Sequence, residues 1–147
     1  MTKPASWSAG KAKAVALGGH LAMMDQTGEN QAVWDLLLSI PQFDSLLRYP
    51  AKDGGGATYV WLGGSDQVSE GVWVWVSGAS IGTAAWGTGS LGSEPDNLRS
   101  KGRTQNFLAI GLENWPRGSA DSQGKGNAGQ WNDLVGTDRL PYLVEFE

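Results

Sequence analysis

The sequence contains no cysteine, and its 147 residues include a single histidine, His20. The absence of cysteine excludes disulfide bonds, zinc sites built from thiolates and a cysteine nucleophile. The single histidine excludes multi-histidine metal sites and leaves only His20 for a Ser-His-Asp triad. Carboxylate and amide oxygens remain as the candidate metal ligands.

Basic charge and long apolar runs are also scarce. Eleven Lys and Arg oppose 15 Asp and Glu, so the formal net charge is -4. Nucleic acids and anionic lipids need a basic face, which argues against either as the main partner. No apolar run approaches the roughly 20 residues of a membrane helix, so membrane insertion is not expected. The first ten residues also lack the charged-then-apolar layout of a signal peptide.

Glycine and tryptophan are abundant instead, with 22 and eight residues respectively. Glycine predicts many turns and irregular loops, and tryptophan predicts a core built on a few large rings. The length suits one hydrophobic core, and we find no internal repeat and no linker. We therefore expect residues 1–147 to form a single domain.

Two helices are predicted in the first third of the chain. Ser6 is placed to cap a helix from Trp7 to about Leu17, with Trp7, Ala14 and Val15 on one face. Thr27 is the predicted N-cap of a second helix, which Pro41 ends. The buried stripe of this second helix is predicted from i, i+3, i+4, i+7 spacing at Val33, Leu36, Leu37 and Ile40.

The rest of the chain has the period of strands separated by loops. Strands are predicted at residues 59–62, 72–76, 106–111 and 140–146, with both faces of 72–76 covered. Residues 77–105 are irregular, and residues 119–129 are a polar, glycine-rich loop. Helices followed by strands indicate an α+β fold. Irregular segments of nearly 30 residues in a compact domain tend to be functional.

Two acidic segments of the second half are candidate sites. Glu94 and Asp96 flank Pro95, and Asn132 precedes Asp133. Each segment is also compatible with an ordinary turn whose charges are solvated. Oxygen ligands of these types suit Ca²⁺, which takes about six to eight oxygens.

Six short segments occur in a characteristic order: GHLA at 19–22, WLGG at 61–64, EGVWVW at 70–75, EPDN at 94–97, QWND at 130–133 and PYLVE at 141–145. Together they resemble a C-type lectin-like domain, in a cysteine-free form seen in bacterial multidomain proteins. The resemblance covers residues 6–146. It implies two helices flanking small antiparallel sheets, with a long loop region that carries the ligand site.

The resemblance also implies a calcium site that would double as the ligand-binding site. Its residues are Glu94, Asp96, Gln105, Asn132 and Asp133. Pro95 corresponds to a proline that follows a cis peptide bond in the family, whereas Trp61 and Trp131 correspond to structural aromatic residues. Asp96 stands where the family has Asn, and Gln105 stands where it has Glu, so three carboxylates remain.

Other departures from the family bear on stability and on the site. Phe107 and Val144 replace half-cystines and keep the packing without the crosslink. The excursion at residues 98–103 adds Arg99, Lys101 and Arg103, which would weaken a calcium site or contact an anionic ligand. The first helix begins within about six residues of Met1, which indicates either a module cut from a longer chain or a shortened sheet.

Three functions are open at this stage. The first is a calcium-dependent, non-catalytic carbohydrate-binding module, extracellular or on a cell surface. The second is a protein-interaction or adhesion module that uses loop 77–104, including Trp86, to bind a surface protein without sugar. The third, an enzyme, would use Glu94 and Asp133 as the acid and base of a glycosidase. It is disfavoured because carboxylates clustered on a cation have lowered pKa values.

Overall fold

The computed structural model describes residues 3–82, 85–99 and 102–147. In chain order its elements are α1 (Trp7–Ala16), β1 (His20–Leu21), α2 (Glu29–Ser39), α3 (Phe43–Leu46), a 3₁₀ turn (Lys52–Gly54), β2 (Tyr59–Ser65), β3 (Val74–Trp75), β4 (Thr88–Gly89), β5 (Gly92–Ser93), β6 (Phe107–Gly111), β7 (Trp131–Leu134) and β8 (Val144–Glu145). The predicted α+β class, with helices flanking small antiparallel sheets, is confirmed.

The central sheet has four antiparallel strands in the order β3-β2-β6-β7. Alternate residues of β2 enter different packing clusters, because successive side chains of a strand point to opposite faces. Tyr59 and Trp61 pack in one cluster, and Val60 and Leu62 pack in the other. Both faces of the sheet are therefore covered. At its edge, β7 presents Asn132 and Asp133 to the loops that carry the other candidate ligands.

Helix α1 begins as predicted. The Ser6 hydroxyl accepts a hydrogen bond from the Ala9 N–H at 3.3 Å, and Gly18 follows the helix with a φ of +84°. Trp7 fixes the helix to the sheet, because its indole N–H donates to the Leu62 carbonyl at 2.8 Å. Trp7 and Ala14 are buried, whereas Val15, which was predicted to share their face, is 61% exposed. Gly10 takes the i+3 position on that face, against the Tyr142 ring.

Helix α2 starts one residue later than predicted and is less buried. Its N-cap is Gly28 (φ +88°) rather than Thr27, and the Glu29 carboxylate accepts the Gln26 N–H at 2.8 Å in place of a Thr cap. Of the predicted stripe, Leu37 is fully buried whereas Leu36 is 56% exposed. The helix lies against the domain over a narrower strip than a regular apolar stripe would cover.

Two predicted strands are much shorter in the structure. Strand 72–76 is reduced to β3, and Val72 is exposed, so the expectation that both of its faces are covered was wrong for Val72. Segment 140–146 contributes only β8 because Pro141 has no N–H to donate to a ladder. Before α1 the chain forms a single bridge, from Ala5 to Leu140. No helix in the described ranges is long and apolar enough to cross a membrane.

Four tryptophans fill the interior, each at most 2% exposed: Trp61, Trp75, Trp115 and Trp131. Trp61 donates its indole N–H to the Ala5 carbonyl at 3.0 Å, and Trp131 donates to the Asn30 side chain at 2.6 Å. The buried rings thus tie the N-terminal segment and α2 to the central sheet.

We expect Trp7→Phe to lower the free energy of unfolding by about 1–3 kcal/mol, because the Leu62 carbonyl would lose its buried donor. Urea denaturation measures the change. Val15→Ala on the same helix is the matched control, and its effect should stay within about 0.5 kcal/mol because the side chain is exposed. Equal effects from the two substitutions would show that the Trp7 hydrogen bond does not anchor the helix.

Candidate functional site

Three carboxylates meet at the edge of the central sheet. One oxygen from each of Glu94, Asp96 and Asp133 lies within 4.8 Å of the other two. Glu94 and Asp96 come from the segment that follows β5, and Asp133 comes from β7. Glu94 is 8% exposed and Asp133 is 0% exposed, so two of the three charges are withdrawn from water.

Backbone N–H groups explain how the loop is held around Asp133. Its two carboxylate oxygens accept hydrogen bonds from the Asp96 N–H at 3.2 Å and the Asn97 N–H at 2.7 Å. The peptide bond between Glu94 and Pro95 is cis, and Asn97 has a φ of +44°. The Glu94–Asn97 turn therefore wraps around one buried carboxylate of β7.

A second loop, between β6 and β7, supplies a donor and a cation to this cluster. The Trp115 indole N–H donates to one Glu94 oxygen at 3.0 Å. The Lys125 ammonium forms an ion pair with the second oxygen (Oδ2) of Asp96. The Lys125 N–H also donates to the Trp115 carbonyl at 2.8 Å, which links the two residues. Sequence analysis treated residues 119–129 only as a polar loop and missed this role.

Gln105 and Asn132 lie beside the carboxylates. The Gln105 side-chain oxygen accepts the Leu98 N–H at 2.7 Å, and its amide donates to the Asp53 carboxylate at 3.0 Å. The Asn132 amide donates to the Tyr59 hydroxyl at 3.0 Å. A cavity of about 150 Å³ is lined by residues that include Glu94, Asp96, Gln105, Asn132 and Lys125. The structure thus brings four of the five residues predicted as ligands to one cavity, with Asp133 hydrogen-bonded to its wall.

Burial raises the pKa of Glu94 to about 7, and repulsion from Asp96 and Asp133 adds to the rise. Burial likewise raises the pKa of Asp133 to about 6, against the lowering effect of the N–H groups that it accepts. The sequence-based expectation of lowered values assumed a bound cation. Among the residues that the structure describes, the Lys125 ammonium is the one that pairs with these three carboxylates, so their negative charge is only partly compensated.

A neighbouring pair of carboxyl groups extends the network. The Asp53 carboxylate also accepts the Val135 N–H at 2.8 Å, and it lies close enough to the Asp138 carboxyl group to raise the pKa of that group. Burial and contact with Asp53 raise the pKa of Asp138 to about 8, while Arg103 lowers it. Arg103 thus faces this second pair, Arg99 is exposed, and Lys101 lies outside the described residues.

Comparisons with known proteins agree with this architecture. Human tetranectin is 31% identical over 103 residues, which are 70% of this chain and 42% of tetranectin. The carbohydrate-recognition domain of the human scavenger receptor C-type lectin superposes with a TM-score of 0.65 at 18% identity, covering 98% of this chain and 84% of that chain. No protein-family model matches the chain.

The chain folds as a C-type lectin-like domain. A calcium-independent type II antifreeze protein has the same fold, with a TM-score of 0.58 at 18% identity over 97% of this chain and 78% of that chain. The chain spans less than half the length of human tetranectin. At least one structural neighbour of this chain is thus described as independent of calcium.

The residues of this C-type lectin-like domain fit a calcium ion in donor chemistry. Glu94, Asp96 and the side-chain amides of Gln105 and Asn132 line one small cavity, and the Asp133 carboxylate lies next to those of Glu94 and Asp96. Ca²⁺ prefers oxygen ligands of these types. The surplus of negative charge also favours a divalent cation. One feature opposes it, because the Lys125 ammonium already engages an Asp96 oxygen.

In calcium-free buffer we expect stability to fall as pH rises from about 5 to 8. The folded-state pKa values of Glu94 (about 7) and Asp138 (about 8) exceed their ordinary values of 4.5 and 3.8. The native state therefore binds more protons than the unfolded state, and this stabilisation is lost as pH passes each folded-state pKa. Thermal unfolding in EDTA measures the trend. Glu94→Gln should reduce the slope up to about pH 7, and Asp138→Asn should reduce it over the whole range up to about pH 8. Stability that rises with pH would contradict the prediction.

Gln105→Glu is expected to destabilise the domain by about 2–3 kcal/mol, although Glu is the family residue. The substitution removes the amide that donates to Asp53 and sets a second carboxylate against it. Urea denaturation of Gln105→Glu, Asp53→Asn and the double variant gives the interaction energy. In the double variant the amide introduced at position 53 can donate to the carboxylate introduced at position 105, so the loss of stability should be smaller than the sum. Simple additivity would refute the pairing.

Proposed function

We propose that this domain is a calcium-dependent, non-catalytic carbohydrate-binding module. The observation that carries the proposal is the convergence of carboxylates from two distant stretches, Glu94 and Asp96 on one side and Asp133 on the other. Gln105 and Asn132 add amide oxygens at the same cavity. The similarity to a carbohydrate-recognition domain supports the ligand class.

The proposed site would act by holding a cation and a sugar with the same side chains. When bound, calcium would supply coordination positions for two vicinal sugar hydroxyls. Glu94, Asp96 and Asn132 would hold the ion. The two carboxylates would also accept hydrogen bonds from those hydroxyls, and the Asn132 amide would donate to them. The Trp115 indole keeps Glu94 oriented toward the cavity, which reduces the ordering needed on binding.

The geometry argues against the glycosidase alternative. Glu94 has the raised pKa expected of an acid, but Asp133 is fully buried and both of its oxygens accept backbone N–H groups. A general base must reach the proton that it removes, and Asp133 has no free oxygen directed at a ligand. A binding role is consistent with this enclosure.

A second candidate function is protein interaction or adhesion without sugar. Leu91 and Leu98 are 59% and 51% exposed beside the site, which offers an apolar contact surface. The fold is shared with a protein described as calcium-independent. Trp86, which sequence analysis placed on this surface, is half-buried and packs against Trp131 at 5.9 Å between ring centroids.

We further propose that residues 1–147 form one domain that acts outside the cell or on its surface, where free calcium is plentiful. Similarity to a protein named a salivary C-type lectin, 26% identical over 142 residues, supports an external location. The match to only part of tetranectin is compatible with a module that works within a longer protein. A bacterial multidomain origin remains a proposal from the sequence resemblance.

Isothermal titration with simple sugars, in calcium and in EDTA, tests the proposed function. We expect binding only with calcium, and loss of at least tenfold in affinity for Glu94→Gln, because one carboxylate charge that lines the cavity is removed. Asp44→Asn, an exposed acid on α3, is the control for net charge. Sugar binding that persists in EDTA would refute the calcium requirement.

The double substitution of Glu94 and Asp133 by Ala separates the two candidate functions. A protein partner held by the exposed leucines would still bind this variant, whereas a sugar would not. Near-ultraviolet circular dichroism would verify that the variant keeps its tryptophan packing. Retained partner binding together with absent sugar binding in the unsubstituted domain would favour the adhesion function.

A further inference from the structure

Lys125 supplies a cation that pairs with the acidic cluster. Its ammonium pairs with the Oδ2 atom of Asp96, while the other oxygen of Asp96 accepts the Leu98 N–H at 3.1 Å. Both carboxylate oxygens of Asp96 are therefore engaged. The ammonium also feels the charges of Glu94 and Asp133, so it acts on the whole cluster.

The position of Lys125 is fixed by the fold. Its N–H donates to the Trp115 carbonyl at 2.8 Å, and the neighbouring Gly126 pairs with Trp115 in an antiparallel bridge. Trp115 is itself buried and hydrogen-bonded to Glu94. The backbone of Lys125 is therefore held next to the cluster by hydrogen bonds. Its side chain is 32% exposed and can move toward solvent.

We propose that Lys125 is a built-in cation that competes with calcium for the carboxylates of Glu94, Asp96 and Asp133. This inference rests on the calcium site of the proposed function and adds its regulation. In low calcium the ammonium neutralises part of the cluster. A calcium ion on the Oδ2 atom of Asp96 would be repelled by the adjacent ammonium, so calcium binding favours displacement of the ammonium.

Once displaced, the Lys125 ammonium would lie beside the cavity rather than against Asp96. The flexible four-carbon stem lets the ammonium move toward solvent while its backbone stays bound to Trp115. The charge is then exposed beside the cavity. Calcium binding thus replaces the Lys125 ammonium at the carboxylates. Because the ammonium has to be displaced, the affinity for calcium is lower than the three carboxylates alone would give.

Calorimetric titration of the domain with CaCl₂, without any sugar, tests the competition. Lys125→Met keeps the apolar stem and removes the charge, so we expect calcium to bind at least about tenfold more tightly. Lys125→Arg keeps a cation and should bind calcium no more tightly than the unsubstituted domain. The matched control is Arg117→Met, which removes a cation of the same loop that pairs instead with Glu113.

A chemical measurement follows the lysine directly. Reductive methylation with mass-spectrometric readout should modify Lys125 more slowly in EDTA than in calcium, because the ion pair protects the amine. The exposed Lys13 on α1 should react equally in both conditions. Equal Lys125 rates under calcium saturation and in EDTA would show that the ammonium is not displaced.

The outcomes separate this inference from the proposed function. If Lys125→Met and the unsubstituted domain bind calcium equally, competition is refuted while the calcium site stands. If only Lys125→Met binds calcium, competition is supported and the calcium requirement of the unsubstituted domain is refuted. If neither protein binds calcium, both the competition and the proposed calcium-dependent function are refuted. If Arg117→Met gains as much calcium affinity as Lys125→Met, the effect is one of net charge and the specific role of Lys125 is refuted.

Discussion

The candidate site depends on one buried carboxylate. Asp133, at the edge of the central sheet, accepts the N–H groups of Asp96 and Asn97 and so fixes the loop that follows β5. That loop has little regular structure of its own, since β4 and β5 contribute two residues each. Because Asp133 is held in β7 by backbone pairing with Leu108, the sheet determines where the loop lies.

This arrangement concentrates charge where water is scarce. Burial and mutual repulsion raise the pKa values of Glu94 and Asp133, which means that their ionised forms are disfavoured in the folded state. Backbone and indole N–H groups offset part of that cost, and the Lys125 ammonium offsets more. The clustered carboxylates therefore attract a further positive charge. This attraction is the physical reason for proposing that the site binds a cation.

Local sequence signals predicted the order of helices and strands because apolar periodicity and caps are local properties. These signals failed where burial depends on tertiary neighbours. Leu36 has the regular spacing of a buried position, but its side chain is 56% exposed. Within the site, short segments identified Glu94 and Asp133. Lys125 could not be predicted, because its approach to the cluster depends on contacts of Trp115 with both Lys125 and Glu94. Trp115 and Glu94 are 21 positions apart, with β6 between them.

The two departures from the family pattern at the site have one explanation in their surroundings. The Gln105 amide donates to Asp53, whose charge raises the pKa of the neighbouring Asp138, so a carboxylate at position 105 would face two acidic groups. Asp96 instead lies opposite the Lys125 ammonium, where a carboxylate is favoured over an amide. Relative to the family pattern, the negative charge has moved from the side where it is repelled to the side where it is paired. Within this chain, Asp53 and Lys125 thus account for an amide at position 105 and a carboxylate at position 96.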